Sequence, residues 1–215
     1  MLKEQVYGHI DHTLLKATST WKQIKKLCDE AIQYHTASVC IPPAYVKRVN
    51  DTYGDTINIC TVVGFPLGYN TTTIKEAEVR QAILDGANEV DMVINIGWAK
   101  DHEFDKIENE IRLLKKATGN KILKVIIEMC YLTEEEKIAL CGCVTRAGAD
   151  FIKTSTGFGT AGATLDDVKL FKEHVGREVQ IKAAGGMKTV EDLHAFLEAG
   201  AERLGTSSGI RLLNE

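Results

Sequence analysis

Two periods of apolar residues alternate along the chain. Eight short runs, rich in β-branched side chains, read as strands: 9–13, 37–41, 57–64, 89–95, 122–128, 151–155, 180–184 and 203–207. Between them lie longer segments with helical spacing at 20–35, 73–85, 103–118, 133–146, 164–175 and 189–198. Five of these segments open on a threonine followed three residues later by a carboxylate or amide: Thr20/Gln23, Thr73/Glu76, Thr133/Glu136, Thr164/Asp167 and Thr189/Asp192. Such pairs satisfy the free N–H groups of a first turn and mark helix starts. Gly86, Gly148 and Gly200 each follow a helical run and precede a strand, as a left-handed cap requires.

Alternating strands and helices imply a parallel sheet, either open and doubly wound or closed on itself. Eight repeats favour the closed (β/α)8 TIM barrel, an α/β fold, as a single domain over 1–215 with a short N-terminal helix and a short final helix. The chain is compact for that fold, whose usual length is about 250 residues, and the shortage falls after the eighth strand. No GxGxxG follows the first strand, which weakens a dinucleotide-binding sheet.

Composition narrows the setting. With 44% hydrophobic and 26% charged residues, the chain can bury one large core. A net charge of -4 argues against general nucleic-acid or anionic-membrane binding, so an anionic ligand needs a local site. The polar start at 1–8 and the lack of a long apolar run set the expectation of a cytoplasmic protein. Cys28, Cys40, Cys60, Cys130, Cys141 and Cys143 form neither CxxC pairs nor zinc spacings and read as free thiols; no metal or cofactor is expected.

The candidate chemistry lies inside the strands. Alternation puts Asp91, Val93 and Asn95 on one face of the fourth strand, Phe151, Lys153 and Ser155 on one face of the sixth, and Gln180, Lys182 and Ala184 on one face of the seventh. Two lysines and an aspartate thus converge on one interior. A second ammonium favours loss of a proton from its neighbour, and a neutral lysine is a carbonyl nucleophile. Alternation leaves both lysines as candidates, and a salt-bridge network without chemistry is the competing reading. Glycines 157, 159, 185 and 186 and the run Thr206-Ser207-Ser208-Gly209 follow strands six to eight, where barrels often bind phosphate; simple tight turns are the alternative. Lys124 and Glu128 share a face of the fifth strand and read as an internal pair, while His12 reads as a structural hydrogen-bonding residue.

Several fragments then occur in a telling order: Ile10-Asp11-His12-Thr13-Leu14-Leu15, Ser38-Val39-Cys40-Ile41-Pro42-Pro43, Val63-Gly64-Phe65-Pro66-Leu67-Gly68, Glu89-Val90-Asp91-Met92-Val93-Ile94-Asn95, Lys124-Val125-Ile126-Ile127-Glu128, Phe151-Ile152-Lys153-Thr154-Ser155-Thr156-Gly157, Ile181-Lys182-Ala183-Ala184-Gly185-Gly186 and Gly205-Thr206-Ser207-Ser208. Over nearly its whole length the chain resembles the deoxyribose-phosphate aldolases, class I lyases that reversibly cleave 2-deoxy-D-ribose 5-phosphate to acetaldehyde and D-glyceraldehyde 3-phosphate. The resemblance implies that Lys153 forms the Schiff base, that Lys182 tunes it and relays protons, and that Asp91 donates and accepts protons. It assigns phosphate contacts to Gly157, Gly185, Gly186, Ser207 and Ser208, with Lys188 at a place often basic. Thr13 is expected to touch substrate hydroxyls, and Cys40 matches a family cysteine whose plainer role is a small buried hydrophobe. The resemblance also implies a homodimer or larger homo-oligomer, with sugar phosphates and aldehydes as its small-molecule partners. One position departs from the pattern: some members carry a basic residue after the strand-six glycine, where this chain has Phe158. Another Schiff-base barrel aldolase, transaldolase-like, and a non-catalytic phosphosugar-binding barrel are the alternatives.

Overall fold

Each strand separates its side chains into two populations, and that separation defines the architecture. Val39, Ile41, Ile59, Val90, Met92, Leu123, Val125, Ile152, Ile181 and Leu204 belong to one continuous apolar core, packed against residues of the surrounding helices. Their sequence neighbours Cys40, Cys60 and Val62 form a separate small cluster, and the remaining buried strand positions of that parity mix apolar residues, among them Val93, Ile126, Phe151 and Ala184, with charged and polar ones. The main core is therefore a shell between sheet and helices, while the inside of the sheet holds titratable groups.

A computed structural model describes residues 2–215; Met1, the first residue of the polar N-terminal stretch, lies outside the described residues. Eight parallel strands close in sequence order: β1 (Ile10–Thr13), β2 (Ser38–Ile41), β3 (Ile59–Val63), β4 (Glu89–Val93), β5 (Ile122–Ile126), β6 (Phe151–Lys153), β7 (Gln180–Ala184) and β8 (Arg203–Thr206), with β1 paired to β8. The helices of the described residues are α1 (Lys3–Tyr7), α2 (Trp21–Tyr34), α3 (Val46–Tyr53), α4 (Thr72–Leu84), α5 (Ile96–Lys100), α6 (Phe104–Thr118), α7 (Glu134–Ala147), α8 (Leu165–His174), α9 (Val190–Glu198) and α10 (Gly209–Asn214). This is the (β/α)8 barrel that the alternation implied, with short helices at both ends.

The local rules that mark the helices are visible in place. On α2 the buried residues Ile24, Leu27, Cys28 and Ala31 follow helical spacing and form one stripe. Capping boxes close α2, α7, α8 and α9 at Thr20, Thr133, Thr164 and Thr189. The expected Thr73/Glu76 pair is corrected: Thr71 precedes α4 and its carbonyl accepts from Ile74 and Lys75, while Glu76 bonds Arg80. The spacing rule chose the wrong threonine of three in a row. Strands three to six end one or two residues earlier than expected, so Asn95, Glu128 and Ser155 lie in the loops after the strands. α3 and α5 escaped the sequence reading because both are short, and α5 contains Gly97.

One buried ion pair lies outside the barrel. Lys75 on α4 donates to Glu110 on α6 at 2.8 Å and to the carbonyl of Val93 at 2.8 Å, and both charged side chains are fully buried. Burial lowers the lysine's pKa, and the Glu110 carboxylate opposes it. The contact ties two helices to the end of β4, the strand that carries Asp91.

Candidate active site

Parallel register assembles the site. Asp91 stands beside Lys124 in the β4–β5 ladder, Lys153 beside Lys182 in β6–β7, and Lys182 beside Arg203 in β7–β8. Asp11 on β1 stands next to Gly205 on β8, which has no side chain to screen it from Lys182. Among the described residues, three carboxylates, Asp11, Glu89 and Asp91, meet four cations, Lys124, Lys153, Lys182 and Arg203.

The cations are not equivalent. Lys124 Nζ lies 2.5 Å from Glu89, 3.0 Å from Asp91 and 3.5 Å from Asp11. Lys182 Nζ lies 2.5 Å from Asp11 and 2.7 Å from Asp91. Arg203 bonds Asp11 and also Glu89, the latter at 3.0 Å. Lys153 Nζ has one carboxylate partner, Asp91 Oδ2 at 2.7 Å. Lys124, Lys182 and Arg203 thus match the three acids one for one, and Lys153 is the surplus amine. Burial works against the charge on Lys182, but Asp11 and Asp91 overcome it and hold its pKa well above the ordinary lysine range. A lysine held as an ammonium cannot add to a carbonyl, so the geometry separates two residues that alternation left equal.

The carboxylates are biased the other way. Burial favours their neutral forms, yet Lys182, Lys124 and Arg203 around Asp11, and Lys124, Lys153 and Lys182 around Asp91, hold both well below the usual carboxylate range. A depressed carboxylate contributes stability above its unfolded pKa and loses it as pH falls; a raised lysine contributes below its unfolded pKa and loses it as pH rises. Thermal unfolding followed by circular dichroism is therefore expected to give a melting temperature that falls below pH 3.8 and above pH 10.5, the ordinary values of the two residue types. A melting temperature that rises below pH 3.8 contradicts this picture.

Above this floor opens a cavity of about 440 Å³, lined by Lys153, Thr13, Gly157, Phe158, Gly185, Ser207 and Ser208 together with Lys16, Thr156, Met187 and Thr206. That volume suits a small metabolite. Lys153 is 3% exposed and borders the cavity, whereas Lys182 and Asp91 are fully buried beneath it. Gly157 sits at φ 86, a left-handed conformation that favours glycine, and its amide lies in the turn after β6. Three residues expected at the substrate stand elsewhere. Cys40 is fully buried inside the barrel in the small cluster with Cys60 and Val62 and does not line the cavity. Gly186 and Lys188 lie outside the lining; Gly186 passes so close to the Ala163 carbonyl that a Cβ would meet it at 2.5 Å, and the Lys188 amide is spent on the Asp192 cap of α9 at 2.8 Å. Cys40, Cys60 and Asp91 bring possible metal donors within 4.8 Å of one another, but both Asp91 oxygens already accept from lysines.

The expected pairing of Lys124 with Glu128 is also corrected. β5 ends at Ile126, and Glu128 adopts φ 53, which takes its carboxylate away from the interior. That carboxylate accepts from the Thr156 amide at 3.2 Å and from its hydroxyl. The same hydroxyl oxygen accepts from the Phe158 amide at 3.0 Å, so Glu128 holds the turn that carries Gly157. Glu128→Gln is expected to weaken that turn by about 1.5–3 kcal/mol, the worth of hydrogen bonds to a charged group. Steady-state kinetics should show a raised KM with kcat little changed; an unchanged KM contradicts the assignment. Sequence reading also missed Asp11, Glu89 and Arg203 as members of the charged interior. Their signal was available, since each has inward parity on its strand.

The chain is similar in sequence and fold to known proteins. Residues 6–213 match the family model described as DeoC/LacD family aldolase. A deoxyribose-phosphate aldolase of Clostridium botulinum (strain Alaska E43 / Type E3) is 64% identical over 213 residues, covering 99% of this chain and 96% of the relative. A deoxyribose-phosphate aldolase of Clostridioides difficile (strain 630) is 61% identical over 204 residues, covering 95% and 93%. Among solved structures, one described as QR15, an aldolase, superposes with a TM-score of 0.93 at 37% identity, covering 97% of this chain and 94% of the other. The deoxyribose phosphate aldolase from Aeropyrum pernix, described as having a unique tetrameric structure, gives a TM-score of 0.89 at 28% identity, covering 99% and 91%.

Proposed function

The chain belongs to the DeoC/LacD family of aldolases, and from that premise we propose that Lys153 is the residue on which its reaction runs. The activity is that of a deoxyribose-phosphate aldolase, the reversible cleavage of 2-deoxy-D-ribose 5-phosphate to acetaldehyde and D-glyceraldehyde 3-phosphate. The observation that carries the role of Lys153 is its place as the surplus amine of a charge-matched cluster, bordering the cavity with a single carboxylate partner.

The chemistry follows from that position. The neutral Nζ of Lys153 adds to the C1 aldehyde of the open-chain sugar, and loss of water leaves a protonated imine. This iminium accepts the electron pair of the C2–C3 bond as the C3 hydroxyl gives up its proton, so the bond breaks to an enamine and D-glyceraldehyde 3-phosphate departs. Protonation of the enamine carbon and addition of water then release acetaldehyde and restore the amine. Protons must move beside Nζ at several of these steps. Asp91 Oδ2 bonds both Lys153 and Lys182 at 2.7 Å, which supports a relay in which the Lys182 ammonium stores the proton and Asp91 passes it. At the other end of the cavity, Gly157, Gly185, Ser207 and Ser208 supply amides and hydroxyls to the phosphate.

We further assign the protein to the cytoplasm, in deoxyribose catabolism, as a homodimer or larger assembly. Six free cysteines suit a reducing compartment, no helix of the described residues is long and apolar enough to cross a membrane, and the Aeropyrum pernix relative is described as tetrameric. The reading is tested by trapping with borohydride. Acetaldehyde should leave a covalent adduct and dihydroxyacetone phosphate none; the reverse pattern would assign the chain to another class of Schiff-base aldolase.

A further inference from the structure

The phosphate end of the cavity lacks an evident counter-charge. Its turns offer backbone amides from Gly157 and Gly185 and the hydroxyls of Ser207 and Ser208. The position after Gly157 is Phe158, which packs edge-on against Phe65 at 5.3 Å between ring centres and presents an apolar ring. Lys188, in the place the resemblance marks as often basic, does not line the cavity. A phosphate monoester carries close to two negative charges at neutral pH, and partial charges from amides alone leave much of that unmatched.

We propose that Lys16 supplies this charge and sets the preference for a phosphorylated substrate. Apart from Lys153, it is the cation lining the cavity among the described residues, and Lys153 is committed to Asp91 on the floor. Lys16 lies in the loop after β1. Because β1 pairs with β8 through His12 and Thr206, that loop stands beside the Ser207–Ser208 turn. The Lys16 ammonium has no ion-pair or hydrogen-bond partner among the described residues; the residue is anchored by its backbone carbonyl, which accepts from the Ser19 amide and hydroxyl. On the helix that follows, Lys25 and Lys26 are by contrast paired with Asp29 and Glu30. An unpaired ammonium on a flexible stem beside amide-rich turns is suited to close over a phosphate once it arrives. The device differs from a basic residue after the β6 glycine: the charge comes from the first loop of the barrel, across from Phe158.

This inference rests on the aldolase reading above, and the two fail separately. In the full chain, Lys16→Met is expected to raise KM for 2-deoxy-D-ribose 5-phosphate about 10-fold or more, the worth of one charge-assisted hydrogen bond. kcat should stay within a factor of about two, since the group does not touch the reacting carbons. Turnover of unphosphorylated 2-deoxy-D-ribose should be unchanged, so the preference ratio collapses, and Lys16→Arg should restore it. Raised ionic strength should increase the wild-type KM more than that of Lys16→Met. An unchanged KM in Lys16→Met overturns the proposal, as does an equal loss on both sugars, or a loss of preference in Lys188→Met with none in Lys16→Met. If wild-type protein gives no acetaldehyde adduct under borohydride, the aldolase reading itself falls; an adduct with an unchanged Lys16→Met KM removes the role of Lys16 alone.

Discussion

Replacing Lys153 with alanine is expected to lower kcat for cleavage of 2-deoxy-D-ribose 5-phosphate by about 10⁴-fold or more, because a covalent route loses its nucleophile. The fold should survive. Asp91 would keep Lys124 at 3.0 Å and Lys182 at 2.7 Å, and the three remaining cations would still match the three carboxylates. The deleted side chain borders a cavity that solvent can fill. Thermal unfolding of the variant should therefore lie close to that of the wild type, or above it, since removal of the surplus cation relieves repulsion. Loss of activity together with a large loss of stability would instead mark Lys153 as a structural member of the network.

Asp91→Asn is expected to fail in the opposite sense, through the fold as well as the chemistry. The change leaves four cations against Asp11 and Glu89, and it puts an NH2 donor in place of one of the two oxygens that accept from Lys124, Lys153 and Lys182. Breaking one side of a buried ion pair costs about 3–5 kcal/mol. For a chain of this size that is a fall in melting temperature on the order of 10 °C. If Asp91 passes protons as proposed, kcat should also fall by about 10²–10⁴-fold. Differential scanning calorimetry and steady-state kinetics on one preparation read both effects; a variant with the wild-type melting temperature would show that Asp91 does not anchor the cluster.

The contrast between these two substitutions also explains what the sequence could reveal. Strand alternation placed Asp91, Lys153 and Lys182 inside the barrel because a period of two is a local property of an extended chain. It could not rank the lysines, since their difference lies in partners from distant strands: Asp11, 171 residues before Lys182, decides that Lys182 stays charged. The rank came from the family resemblance; the geometry adds that Lys182 lies between two carboxylates and Lys153 beside one. Glu128 went astray for a related reason. Its parity relative to Lys124 was sound only if β5 continued to residue 128, but the strand ends at Ile126 and the φ of 53 at Glu128 turns the chain. Lys16 carried no signal in the sequence, because nothing in a loop's composition says that β1 and β8 are neighbours until the barrel closes. Helices with a capping box were legible to within a residue or two, whereas the short α5, carrying a glycine, was not.

The central claim, that one lysine of this charged interior is the nucleophile and the other its charged partner, reduces to the position of one covalent bond. Wild-type protein treated with acetaldehyde and borohydride, then digested and mapped by mass spectrometry, should carry an N-ethyl group on Lys153 and none on Lys182. An ethyl group on Lys182 would contradict the account, because the ammonium held between Asp11 and Asp91 would then be the group that reacts.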